Sequence, residues 1–150
     1  MKTLPVYFYV QKLAPYSVDG GIIPFEKTLL NIGGAMNTTA GIFTAPQNGV
    51  YSFHFSGIAY YPSHGVRVNV VFSLLRNGNI VGSSSTSSND DDAYYTHTVH
   101  STIELRKGDT VAMSIQNLNG GAYLYDDNTN IRHTHFTGHL LHEKVATSMN

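Results

Sequence analysis

Apolar side chains recur at every second position through most of this 150-residue chain, and no stretch keeps helical spacing beyond a turn or two. Successive side chains of a strand point to opposite faces, so period-two alternation describes strands with one face in a core and the other in solvent. Tyr51, Phe53 and Phe55 alternate with Ser52, His54 and Ser56. Val66, Val68, Val70, Phe72 and Leu74 fall together, with Arg67, Asn69 and Ser73 opposite. Val99, Ile103 and Leu105 are expected inside, with Thr96, Thr98, Thr102 and Glu104 outside. Val111, Met113 and Ile115 repeat the pattern, and Phe136, Gly138 and Leu140 alternate with Thr137, His139 and Leu141 in a last strand. Val6 to Val10 reads as one more strand, continuous rather than alternating.

Turn chemistry separates these runs. Asn48-Gly49, Asn77-Gly78 and Asn119-Gly120 pair two residue types that tolerate positive φ, and Lys107-Gly108-Asp109 is a further turn. Asn77-Gly78 is expected to fold the preceding strand back into Ile80 to Ser85. Asp109 can accept turn N–H groups beside Gly108. Ser83 to Asp92 reads as a strand end followed by an exposed loop. Many short strands at such intervals predict an all-β, two-sheet antiparallel sandwich or jelly roll. No internal repeat or linker divides the chain, so residues 1–150 read as a single domain, within the usual ~100–150 residues.

Composition removes several function classes. A formal net charge of -1 argues against a basic nucleic-acid binder and against general attraction to anionic membranes. The absence of cysteine excludes disulfide scaffolds, thiolate zinc sites, iron–sulfur clusters and thiol catalysis. No apolar run approaches the ~18–20 residues of a membrane span, so membrane insertion is not expected. Met1-Lys2-Thr3-Leu4-Pro5 does not read as a signal peptide, which leaves an intracellular protein or a trimmed mature domain with an added initiator Met.

Phe25, Asn31, Met36, Phe43, Gly49, Tyr51, Phe53 and Phe55 follow the spacing F-x5-N-x4-aromatic-x6-F-x5-G-x-Y-x-F-x-aromatic. This resembles the signature of the complement C1q globular domain family. Met36 is the one departure, and a flexible thioether fills much the same apolar gap as the aromatic residue or Leu preferred there. Gly41-Ile42-Phe43-Thr44-Ala45-Pro46, Leu105-Arg106-Lys107-Gly108-Asp109-Thr110-Val111 and Phe136-Thr137-Gly138-His139-Leu140-Leu141 resemble further family motifs. The resemblance spans about residues 6–143.

The resemblance implies a two-sheet jelly roll like that of the tumour necrosis factor family, assembled as a compact homotrimer. It implies a secreted, non-enzymatic recognition, adhesion or signalling module. Many members carry a collagen stalk, and this chain has no Gly-X-Y tract, so a stalkless member or an excised head is expected. Stalkless invertebrate members are often assigned to innate immunity as lectin-like pattern recognisers. The expected ligand is therefore carbohydrate or a microbial surface pattern, with a receptor or matrix protein as the alternative.

Candidate ligand residues lie on loops and strand ends. Tyr94, Tyr95, Tyr123 and Tyr125 suit stacking on sugars or protein interfaces, and equally suit strand packing; Tyr60 and Tyr61 belong to the same group. Asp90, Asp91 and Asp92 form one acidic cluster, and Asp126 and Asp127, with Asn128, a second. Hard oxygen ligands on loops suit calcium, which some relatives bind, and the same clusters can be solvated loop tips. Convergence of the two clusters at one end of a jelly roll is expected to make an oxygen-rich rim. His133 and His135 share a face if their segment is strand and suit half a metal site, whereas His97 and His100 fall on opposite faces; the alternative for all four is partly exposed polar residues. Asn37-Thr38-Thr39 is a glycosylation sequon, meaningful in a secreted chain. No ordered Ser/His/Asp set or phosphate-binding Gly loop is present, so no enzyme is expected.

Overall fold

The computed structural model describes residues 5–62, 64–127, 129 and 131–144. Among these, eleven strands follow one another: β1 (Tyr7–Gln11), β2 (Lys27–Ile32), β3 (Met36–Asn37), β4 (Ile42–Thr44), β5 (Gly49–Tyr61), β6 (Val68–Arg76), β7 (Asn79–Ser88), β8 (Ala93–Leu105), β9 (Thr110–Gln116), β10 (Tyr123–Tyr125) and β11 (His135–Glu143). One sheet runs β8-β5-β11-β1-β2, with β10 on the same edge of β5 as β11; the other runs β3-β4-β9-β6-β7. All named pairings are antiparallel, and the two sheets form a jelly-roll sandwich.

Alternation becomes burial along β5. Tyr51, Phe53 and Phe55 point inward and are buried, while Ser52, His54 and Ser56 lie on the outer face. Phe53 meets Phe43 of the opposite sheet at 5.4 Å between ring centres, Phe55 meets Phe72 at 5.3 Å, and Phe8 lies 5.0 Å from Phe136. Tilted and edge contacts of this kind add to the gain from burying the rings. Gly138 sits among them because a Cβ there would lie 2.4 Å from a Phe8 ring carbon and 2.7 Å from Phe53.

The signature residues outside β5 have framework roles. Phe25 is buried and stacks on Phe136 at 5.7 Å. The Asn31 amide donates to the Met36 carbonyl at 2.9 Å and accepts the Met36 N–H at 3.2 Å, locking the turn from β2 to β3. Met36 itself is buried in the core. Asn77 and Gly78 take φ of 52° and 83°, positive at both central positions as a type I′ hairpin turn requires. Asp109 accepts the Arg106 N–H at 2.8 Å, as turn chemistry predicts.

The structure corrects the sequence reading in four places. Val66 is 50% exposed and precedes β6, since its strand starts two residues later. Residues 6–10 do alternate: Phe8 and Val10 are buried and Tyr7 is exposed, because β1 has solvent on one face. In β9, Ala112 and Ser114 are buried along with Val111, Met113 and Ile115. Residues 20–23 pair along its edge, where the Ile23 N–H bonds the Met113 carbonyl at 2.9 Å, the Gly20 N–H bonds the Ile115 carbonyl at 2.8 Å and Ile22 bridges Ser114. His97 is 1% exposed rather than partly exposed, because its position in β8 faces the opposite sheet.

Candidate functional site

Strand parity and register assemble a cluster of rings on the outer face of the first sheet. In β5 the inward set includes Phe55, Ala59 and Tyr61, so Tyr60 faces out. β11 pairs with β5 only as far as Ser56, and beyond it β10 takes the same edge, pairing Tyr123 with Tyr60. On the other edge Tyr60 is opposite Tyr94 of β8. Tyr60 lies 5.0 Å from Tyr94 and 5.2 Å from Tyr123 between ring centres. Tyr125 lies 5.1 Å from Tyr94, and His133 extends the row 5.5 Å from Tyr125. Tyr94 is 54% exposed, with Tyr60, Tyr123 and Tyr125 half-buried around it.

Carboxylates rim the surface. Tyr60 donates its hydroxyl hydrogen to Asp92, and Tyr125 donates to Asp127 at 2.9 Å. A carboxylate accepting the phenolic hydrogen favours the neutral phenol, so Tyr60 is pushed up to about 12, and Tyr125 is raised for the same reason. Hydrogen bonds from Thr129, at 2.6 Å from its hydroxyl, and from Tyr125 hold the Asp127 carboxyl below its ordinary value. The loops carrying Asp92 and Asp127 therefore meet the same ring cluster at one end of the sandwich.

The other candidate residues separate from this surface. Tyr95 faces inward beside Tyr94, edge-on to buried Tyr61 at 5.2 Å, and its hydroxyl donates to Asp90 at 3.1 Å. Asp91 accepts the His64 N–H at 3.1 Å. Asp126 is 2% exposed and spends both oxygens on backbone, accepting the Asp127 and Thr134 N–H groups at 2.9 Å each. Asn128 lies outside the described residues. Among the described residues no three His, Asp or Glu side chains gather in a metal-binding arrangement, so the carboxylates of one chain do not fit a calcium site by themselves. His133 meets Tyr125 whereas His135 meets Tyr9 at 6.0 Å.

The sequence grouped Tyr60 with the other tyrosines without singling it out as the ring that joins Tyr94 to Tyr123. Its signal was present: counting on in twos from Tyr51, Phe53 and Phe55 puts Tyr61 inside and Tyr60 outside.

The C1q domain family model matches residues 7–141. The chain belongs to the C1q domain family. Human and mouse complement C1q tumor necrosis factor-related protein 3 are each 31% identical over 149 residues, which is 93% of this chain and 52% of theirs. The chain thus spans about half the length of the curated relatives it matches. The solved globular domain of zebrafish complement 1qA protein aligns with 93% of this chain and 99% of its own, at a TM-score of 0.64 and 17% identity. That likeness is one of fold, and it agrees with the jelly-roll sandwich described above. C1q domains form trimers, and no helix among the described residues is long and apolar enough to cross a membrane.

Proposed function

We propose that this C1q-type chain is a secreted, non-enzymatic recognition module of innate immunity that binds carbohydrate on microbial surfaces through the face formed by Tyr60, Tyr94, Tyr123 and Tyr125. The carrying observation is the row of outward-facing rings, exposed Tyr94 among half-buried Tyr60, Tyr123 and Tyr125, bordered by Asp92 and Asp127. Aromatic faces accept the apolar C–H faces of sugar rings, while carboxylates and phenols accept and donate to sugar hydroxyls. Homotrimer assembly belongs to the same reading. It is supported by Tyr7, Leu30 and Ile32, large apolar side chains left exposed along β1 and β2 of one sheet. A trimer repeats the ring surface three times, which raises avidity for a repetitive polymer. Calcium would need Asp92 and Asp127 of neighbouring copies to complete its oxygen set.

A glycan array probed with the native oligomer tests the proposal. Saturable signals that compete with free sugar and fall in Tyr94→Ala support it. A blank array with saturable binding to a receptor or matrix protein would replace sugar with protein as the ligand. Calorimetry of EDTA-stripped protein tests calcium: absence of heat and of any melting shift removes the ion from the reading.

A further inference from the structure

Asn37-Thr38-Thr39 is the chain's only Asn-X-Ser/Thr sequence, and its middle residue is not proline. The fold places it where β3 turns into β4. Met36 of β3 is buried and Asn37, the next residue, is exposed, so Asn37 faces away from the core. Its cross-strand partner is Ile42 of β4, which in turn pairs with Ala112 of β9. This row lies on the outer face of the second sheet, β3-β4-β9-β6-β7, and Asn37 stands at its β3 edge.

The turn leaves the acceptor amide open. The Gly41 N–H bonds the Asn37 carbonyl at 2.8 Å, and the Ala40 N–H bonds Asn37 Oδ1 at 3.1 Å. The side-chain bond engages Oδ1 and not Nδ2, the atom to which a sugar is joined. Thr38 gives its carbonyl to the Phe25 N–H at 3.0 Å, whereas Thr39 and Ala40 are exposed. Glycan transfer acts on the emerging chain, so what the folded protein must supply is room for a bulky polar group. That room persists on assembly. The exposed apolar residues Tyr7 and Ile32 are paired across β1 and β2, with Leu30 alongside, on the outer face of the first sheet. Asn37 points from the opposite side of the sandwich.

We propose that Asn37 is the acceptor of an N-linked glycan, which makes the β3 edge of the second sheet a solvent face opposite the one that assembles. The inference rests on secretion as proposed above and not on the identity of the ligand. The co-reactant is an oligosaccharide joined through its anomeric carbon to a lipid pyrophosphate. Nδ2 forms a bond to that carbon and the carbon–oxygen bond breaks. The amide gives up one proton, and the lipid pyrophosphate leaves with the electron pair. Because β3 is an edge strand, a hydrated chain beside it also hinders pairing with another sheet.

Intact-mass spectrometry before and after peptide N-glycosidase tests the proposal. It is applied to the natural protein and to the same full chain exported from eukaryotic cells behind a known leader. Both should carry mass that the enzyme removes, leaving an aspartate at position 37. Asn37→Gln and Thr39→Ala should abolish that mass, and Thr39→Ser, which keeps the acceptor sequence, should retain it. Glycosylated protein and Asn37→Gln should sediment as the same oligomer. An exported, folded chain without glycan at Asn37 overturns the proposal and leaves secretion standing. A natural chain found unmodified inside the cell, beside a leader-driven chain that is modified, refutes secretion and upholds Asn37 as an acceptor. A smaller oligomer for the glycosylated chain than for Asn37→Gln would place this face in the assembly and overturn the proposal as well.

Discussion

The imidazole of His97 lies 4.8 Å from the ring of Phe72, inside the seam between the two sheets. Its Nδ1 is 3.0 Å from Ser84 Oγ and its Nε2 3.5 Å from the Tyr61 hydroxyl. Burial disfavours the charged ring and holds His97 below the usual histidine value, against a smaller opposing effect of Ser84. Above pH ~6.5 neither the folded nor the unfolded form is protonated there, and its contribution to stability is fully present. As pH falls through that value the unfolded chain takes up a proton that the folded chain refuses. Stability then declines until the folded-state value is passed, by at most about 1.4 kcal/mol per pH unit for one such group. His135, held down by burial and by the charge of His54, acts in the same direction. Melting temperatures between pH 7 and pH 5 should drop, and His97→Gln should flatten part of that slope; an unaltered slope would sink this assignment.

Tyr60 offers a spectroscopic check on the ring surface. Its phenol is pushed up to about 12 because it donates to Asp92. Asp92→Asn removes the negative acceptor and should return Tyr60 toward the ordinary tyrosine value of 10.0. Ultraviolet titration of tyrosinate should show one phenol ionising earlier in the variant. Superimposable titrations would mean that the pair is not formed in solution.

Gly138→Ala tests the core. The new methyl would fall 2.4 Å from Phe8 and 2.7 Å from Phe53, two buried rings with little room to retreat. Overpacking of this kind costs about 1–3 kcal/mol. Urea unfolding should show a lower midpoint with an unchanged m-value. A midpoint equal to that of the native protein would mean that the rings move aside freely.

Lys12 is buried at 1% exposure, and its ammonium donates to Glu26 at 2.8 Å and to the Pro24 carbonyl at 3.1 Å. Glu26 also accepts the Leu13 N–H at 2.7 Å. Glu26→Ala leaves both donors short of a partner, at a cost of about 1–3 kcal/mol. Lys12→Met in the same chain should recover part of the loss, because it removes the stranded charge and keeps the apolar stem. Equal stabilities of the single and double variants would show that the stranded ammonium costs nothing.

Much of this architecture is written locally in the chain. Period-two alternation assigned the inner face of β5, β6 and β8, because side chains of a strand must alternate whichever partners it finds. Asn77-Gly78 announced its hairpin, because both residues tolerate the positive φ that the turn imposes. The signature from Phe25 to Phe55 carried the family, because each of its residues fills a fixed core or turn position. Parity alone also separates Tyr94 from Tyr95, and Tyr60 from Tyr61. Other features depended on partners distant in sequence. β11 stops pairing with β5 at Ser56, and only there does an edge open for β10, which brings Tyr123 and Tyr125 to Tyr60. Residues 20–23 pair along the edge of β9 without any apolar alternation to announce it, and Ala112 and Ser114 on its second face are buried although the pattern placed them outside. Asp126 looks like its neighbour Asp127 in the sequence. One is buried holding the Thr134 backbone and the other borders the ring surface, since the fold of the surrounding chain decides which carboxylate water can reach.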